Sequence, residues 1–142
     1  MRTSHGRDWL LVAGACLLTA CASDAQKCSA ALDAAQSWLA TVDMVSHVWM
    51  LIRVPTRYAR QTLKEARSQL ESGGETIAQL DVDRGLRRQA TSELHAAAQA
   101  TDTILAAVGR DDARAVAMHL HAIGGHLAAV DSLASSAKRA SQ

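Results

Sequence analysis

Three histidines near the end of the chain are the first residues that suggest a site, because imidazole binds metals and moves protons near neutral pH. They are His119, His121 and His126. On a helix, His119 and His126 share one edge of the apolar face about 10 Å apart, too far for one metal ion, and His121 points away. A metal site would have to recruit His47 or His95 from other segments, and covalent haem needs a Cys-x-x-Cys-His motif that the sequence lacks. We therefore expect no metal and no cofactor.

The sequence also lacks the common catalytic motifs. It has no Gly-x-Ser-x-Gly, no phosphate-binding glycine-rich loop with its lysine, and no carboxylate pair on one helix face beside a plausible pocket. The pairs at 73–74 and 124–125 are Gly-Gly without the lysine or the strand context of a phosphate loop. We therefore expect a protein that is not an enzyme.

Five basic residues recur at spacings of three and four and form what we call the basic row: Arg53, Arg57, Arg60, Lys64 and Arg67. On a helix they cover about 80° beside the apolar face. Glu65 and Glu71 are the acidic residues close enough in sequence to neutralise them. The row predicts one of two roles. It either contacts an anionic surface such as lipid headgroups, a polysaccharide or an acidic helix, or forms a solvated face whose arginine stems cover the edge of the core.

The overall charge argues against a nucleic-acid partner. The 142 residues include 15 Lys plus Arg and 14 Asp plus Glu, a net charge of +1. A dedicated nucleic-acid binder needs a basic surplus to displace counterions from phosphates. We expect no nucleic-acid partner.

The first 20 residues have the layout of a secretory signal peptide. Arg2 and Arg7 make the start basic, and residues 9–18 form an apolar run without a charge. Ten residues are too few to cross a bilayer, which takes about 20 helical residues. We expect residues 1–20 to be removed from the mature protein.

The residues that follow this run, Leu18, Thr19, Ala20 and Cys21, resemble the lipobox of bacterial lipoprotein precursors. The resemblance covers residues 1–21 and implies cleavage before Cys21, a diacylglycerol thioether on its sulfur and acylation of the new amino group. Two or three acyl chains, at about 0.8 kcal/mol per buried CH₂, would hold the protein on a membrane. Since no aspartate follows Cys21, the family's sorting rule implies the outer membrane, facing the periplasm, where the envelope has one.

The three cysteines therefore have different fates. Cys16 lies in the removed segment and Cys21 would carry lipid, so Cys28 is the one thiol left in the mature chain. In an oxidising compartment two alternatives remain open for it. It is either a free or partly buried cysteine near a helix start, or it forms an intermolecular disulfide with another component of the envelope.

Composition and periodicity predict an all-α protein. The chain has 29 alanines, one proline and four aromatic residues, a composition that favours helix. Apolar residues recur at helical spacing in four segments of similar length, at about 24–53, 55–81, 83–108 and 111–137. Equal lengths and short connections predict an antiparallel up-down four-helix bundle over residues 28–137, after a lipidated tether at 21–27 and before a frayed tail at 138–142. The competing architecture joins the first two segments in one helix kinked at Pro55.

Local signals predict the helix ends. Asp24 or Ser29 is expected to cap the first helix and Asp83 the third. Gly109 suits the residue that ends the third helix, and one of two aspartates, at 111–112, is expected to cap the fourth. The second helix is expected to continue through the glycines at 73–74. The apolar stretch at 38–54 contains an aspartate, so we expect a bundle helix there and not a membrane span.

These observations predict a lipid-anchored protein of the bacterial envelope whose helical bundle is a non-catalytic interaction or structural module. Its partners would be the membrane, through the N-terminal lipid, and a protein of the envelope. Two other functions remain open. The first is a periplasmic protein that binds a ligand or a metal in the interior of the bundle. The second is a component of a secretion or envelope complex joined through Cys28.

Overall fold

The computed structural model describes residues 22–51 and 53–142, and this part of the chain is all-helical, without a strand. The signal peptide and the lipobox with Cys21 lie outside the described residues. The chain forms four helices in succession: α1 (Asp24–Met50), α2 (Thr56–Ala78), α3 (Arg84–Gly109) and α4 (Ala113–Ala140).

The start of α1 differs from the prediction. Ser23 is the capping residue, in place of Asp24 or Ser29, and its hydroxyl accepts a hydrogen bond from the backbone N–H of Gln26. The Gln26 side chain in turn accepts from the Ser23 N–H, so that both groups satisfy helix-end donors. Helical structure therefore begins inside the stretch, 21–27, that was expected to be a tether.

The first two segments are separate helices, and the alternative of one kinked helix is wrong. α1 ends at Met50, and α2 begins directly after Pro55. Proline disfavours helix in the residue before it and suits the start of the next helix. The Trp49 Nε1–H donates to Thr56 Oγ1 at 3.1 Å and ties the two helices together at the connection.

The caps of α3 and α4 follow the prediction, but the residue that reverses the chain between them does not. Asp83 accepts from the N–H of Leu86 and Asp112 from that of Ala115, both at 2.9 Å. Gly109 is still helical, and the left-handed backbone is at Asp111, with φ of 57°. Aspartate tolerates this region better than most residues.

Each helix turns an apolar stripe toward one common core. α1 packs against α2 and α4, α3 packs against the same two helices, and α1 approaches α3 over a shorter stretch. The largest fully buried side chains come from all four helices and include Leu32, Leu39, Leu63, Leu70, Ile77, Leu94, Ile104 and Ile123. Among the described residues, no helix is long and apolar enough to cross a membrane.

The glycines of α2 do not interrupt the helix, and α4 is longer than its predicted segment. The glycines at 73–74 lie within a continuous α2, as predicted, and a Cβ on Gly73 would lie 3.3 Å from Leu94 Cδ1, so α2 and α3 approach closely there. α4 extends to Ala140, past the expected end at 137. Lys138, expected in a frayed tail, is helical, and its Nζ donates to Asp33 Oδ1 on α1 at 3.0 Å.

Candidate functional site

The basic row lies on the exposed side of α2 and on the connection before it. All five side chains are exposed. The first two turns of α2 form one side of an open groove of about 390 Å³, lined by Thr56, Arg57, Arg60, Gln61 and Lys64. The groove therefore gathers three of the five cations of the row and has no carboxylate in its lining.

Arg67 differs from the rest of the row because it is neutralised. Its guanidinium lies 3.2 Å from Glu71 on the same helix and 3.6 Å from Asp102 on α3. Glu65, the other expected partner, instead accepts a hydrogen bond from Gln69 at 2.8 Å. The helical spacing pointed to Glu71, but Asp102 comes from another helix and was not foreseen.

The other four cations of the row have no carboxylate within 4.0 Å in the described part of the chain. Arg60 lies over the end of α3, where its Nε would be 3.9 Å from a Cβ on Gly109. The first turn of α2 carries no acidic residue. We call Arg57, Arg60 and Lys64 the groove cations; their charge is available to an anionic ligand.

A second basic cluster, which the sequence analysis missed, lies at the beginning of α3. Arg84, Arg87 and Arg88, the α3 arginines, line an open groove of about 490 Å³ together with Ala78, Thr91, Ser92 and His95. The Arg87 Nη1–H donates to the Leu80 carbonyl at 3.1 Å. Three arginines within five residues of a helix start were the available signal, but their common groove depends on how α2 and α3 pack.

The histidines do not form a common site. His126 is partly buried, and its Nδ1 lies 2.6 Å from Glu93 Oε1 on α3, whereas His121 is exposed. His47 contacts Asp43, and His95 contacts Gln99. No group of three or more His, Cys, Asp or Glu side chains in residues 22–51 and 53–142 is arranged to hold a metal ion.

Cys28 is fully buried on the inner side of α1. Burial raises the pKa of its thiol above the ordinary value of 9.0, because the interior disfavours the thiolate. Cys28 is a free thiol in this structure. An intermolecular disulfide would require α1 to separate from the core before another thiol could reach the sulfur.

Asp24 links the start of α1 to the connection between α2 and α3. Its Oδ2 accepts from the backbone N–H of Asp81 at 2.7 Å, and its Oδ1 accepts from Lys27 Nζ at 3.1 Å. The Asp81 N–H, and after it the Lys27 ammonium, hold the pKa of this carboxyl below its ordinary value of 3.8. The ionised form of Asp24 therefore favours the folded chain.

Comparison of the chain with known protein families, with curated proteins and with solved structures finds no match in any of the three.

Proposed function

We propose that this chain is a lipid-anchored protein of the bacterial envelope, and that its helical bundle is a non-catalytic module that presents a cationic groove to an anionic partner. The lipobox resemblance at Leu18 to Cys21 supports the anchor. The observation that carries the interaction role is the groove at the start of α2, where three cations meet without a carboxylate in the lining.

The proposal includes the antiparallel up-down order of the helices. Contacts at one end support it, because Asp24 at the start of α1 meets Asp81 after α2, and Asp33 of α1 meets Lys138 near the end of α4. At the other end, Trp49 of α1 meets Thr56 at the start of α2. Short connections of a few residues between helices favour the same order.

This order separates the groove cations from the anchor. α1 has 27 residues, so its axis is about 40 Å long. The lipid on Cys21 would precede the first turn of α1, whereas the groove lies beside the last turn. The partner of the groove is therefore an anionic protein surface of the envelope outside the anchoring membrane, with the protein on the outer membrane and its bundle in the periplasm.

The anchor is tested with Cys21→Ser, expressed in a bacterial host beside the unchanged protein and Cys28→Ala. Mass spectrometry is expected to find acyl chains on the unchanged protein and on Cys28→Ala, and none on Cys21→Ser. Cell fractionation is expected to move Cys21→Ser out of the membrane fraction. An unchanged mass and an unchanged membrane fraction for Cys21→Ser would reject the anchor.

The interaction role is tested by cross-linking in intact envelopes, followed by purification of the tagged protein. The variant Arg60→Gln/Lys64→Gln removes two groove cations and is expected to lose the cross-linked partner. Lys27→Gln/Arg67→Gln is the matched control, because it removes the same charge from two cations that already have carboxylate partners. Equal loss in both variants would show that net charge alone matters, which contradicts a role for the groove.

A further inference from the structure

We propose that the α3 arginines contact the anionic phospholipid headgroups of the membrane that holds Cys21. This contact would keep the helix axes directed away from the membrane surface. This inference rests on the proposed lipid anchor. It adds a second contact with the same membrane, made by Arg84, Arg87 and Arg88, and it assigns those residues a ligand.

Position is the first reason. Asp24, in the first turn of α1, accepts a hydrogen bond from the N–H of Asp81, three residues before α3 begins at Arg84. The beginnings of α1 and α3 are therefore at the same end of the molecule. Cys21 precedes Ser23 by two residues, and two residues of extended chain span about 7 Å at most. Acyl chains attached there would enter the bilayer beside the α3 arginines.

Charge is the second reason. The groove that these arginines line contains three guanidinium groups and one imidazole and no carboxylate. Within residues 22–51 and 53–142, none of the three has a carboxylate within 4.0 Å. Two acidic side chains at this end of the molecule have other partners, since Asp83 caps α3 and Asp24 binds Lys27 and the Asp81 N–H.

The place of these arginines on the helix is the third reason. The N-terminus of a helix carries a partial positive charge, so cations in the first turn are unfavourable there and acidic residues are preferred. α3 has three arginines in its first five residues and no acidic residue in its first turn. Arginines at this position destabilise the helix, and no ion pair in the described chain compensates for them. Their presence therefore points to an anion outside the chain.

Anionic headgroups fit this surface better than a single small ligand. The groove is open, and exposed guanidinium groups form paired hydrogen bonds with phosphate oxygens. Each basic residue near an anionic bilayer strengthens association about fivefold. The groove cations lie at the other end, about one helix length away. They cannot reach the same membrane when the start of α1 is at the membrane and its axis is directed away from it.

The experiment uses the lipidated protein in vesicles of phosphatidylcholine, with or without phosphatidylglycerol, that carry a headgroup quencher. A fluorophore is attached at Ser92→Cys, in the α3 groove, or at Gln61→Cys, in the groove of α2, with Cys28 replaced by alanine. Both labelled positions are exposed. Phosphatidylglycerol is expected to increase quenching at Ser92→Cys about threefold or more and to leave quenching at Gln61→Cys unchanged.

The added variant Arg84→Gln/Arg88→Gln is expected to remove the effect of phosphatidylglycerol, and the matched variant Arg57→Gln/Arg60→Gln is expected to preserve it. Arg87 is kept because it bonds to Leu80. If the protein floats with neutral vesicles but quenching at Ser92→Cys does not depend on phosphatidylglycerol, or both variants act alike, the headgroup contact is refuted and the anchor stands. If the protein does not float with neutral vesicles, the anchor fails and this proposal fails with it.

Discussion

His126 on α4 and Glu93 on α3 form a side-chain contact across two helices, with 2.6 Å between Nδ1 and Oε1. Their side chains are 18% and 23% exposed. An ionised carboxylate can only accept, so the imidazole donates. The contact gives His126 a structural partner and explains why a histidine beside the apolar stripe is tolerated at a partly buried position.

This contact is expected to stabilise the fold more than the exposed pair of His47 and Asp43 does. A double-mutant cycle with Glu93→Ala and His126→Ala should give a coupling free energy of about 1 kcal/mol in denaturant unfolding. The same cycle on His47 and Asp43, which lie 3.5 Å apart and are 57% and 43% exposed, is the control and should give a few tenths. Equal coupling free energies in the two cycles would contradict the expectation that partial burial strengthens the contact between His126 and Glu93.

Ser46→Ala is expected to stabilise the protein. Ser46 is fully buried, and its Oγ has no hydrogen-bond partner among the described residues. Burial of an unsatisfied hydroxyl costs about 1 kcal/mol or more, which alanine removes along with a small helix-propensity penalty. Ser68→Ala, on the exposed side of α2, isolates the helix-propensity contribution and should raise the unfolding free energy by about 0.5 kcal/mol. A smaller gain at Ser46 than at Ser68 would contradict the prediction.

Cys28 is expected to resist alkylation in the folded protein. Its thiol is buried and its pKa is raised, so both access and thiolate formation are reduced. Peptide-resolved mass spectrometry after iodoacetamide treatment should show labelling at least about a hundredfold slower in buffer than in denaturant. A higher-mass band that disappears with reductant and in Cys28→Ala would instead establish the intermolecular disulfide.

The same thiol predicts the alkaline behaviour of the protein. The unfolded thiol ionises around its ordinary pKa of 9.0, but the buried thiol does not, because its pKa is raised. Ionisation of the thiol therefore stabilises the unfolded state only, and the unfolding free energy is expected to fall as the pH rises above 9.0. Cys28→Ala removes this contribution, and an identical pH dependence in both proteins would contradict it.

Asp24 predicts the acidic behaviour. Its pKa is lowered in the fold, first by the Asp81 N–H and then by Lys27, so its ionised form stabilises the folded state. This contribution is complete above the unfolded value of 3.8, declines below it and is lost once the pH is under the lowered pKa of the folded state. Asp24→Asn should therefore be less stable than the unchanged protein near neutral pH and equal to it at the acidic limit. A difference that persists at that limit would contradict the assignment.

The order of helices and the starts of α2, α3 and α4 were predictable from residues near one another in the chain. Proline at 55 and the side chains of Asp83 and Asp112 act on backbone groups within a few residues, so their effect on helix ends depends little on the rest of the fold. The inward stripe of each helix follows from the 3.6-residue period for the same reason. The cap at Ser23 was not predicted, although the Gln26 three residues later marks a capping box.

The state of each charged or reactive side chain was decided by the tertiary structure. Sequence spacing placed Arg60 and Arg67 in the same basic row and predicted the same role for both. In the structure, Asp102 of α3 forms an ion pair with Arg67 and not with Arg60. Cys28 is inaccessible because the first turns of α1 pack against the core. Glu93 of α3 contacts His126 of α4, although the two residues are 33 positions apart in the sequence. A helix repeat determines which side chains share a face. The rotation and relative height of two packed helices determine which of those faces meet, and these depend on the fit of side chains between helices.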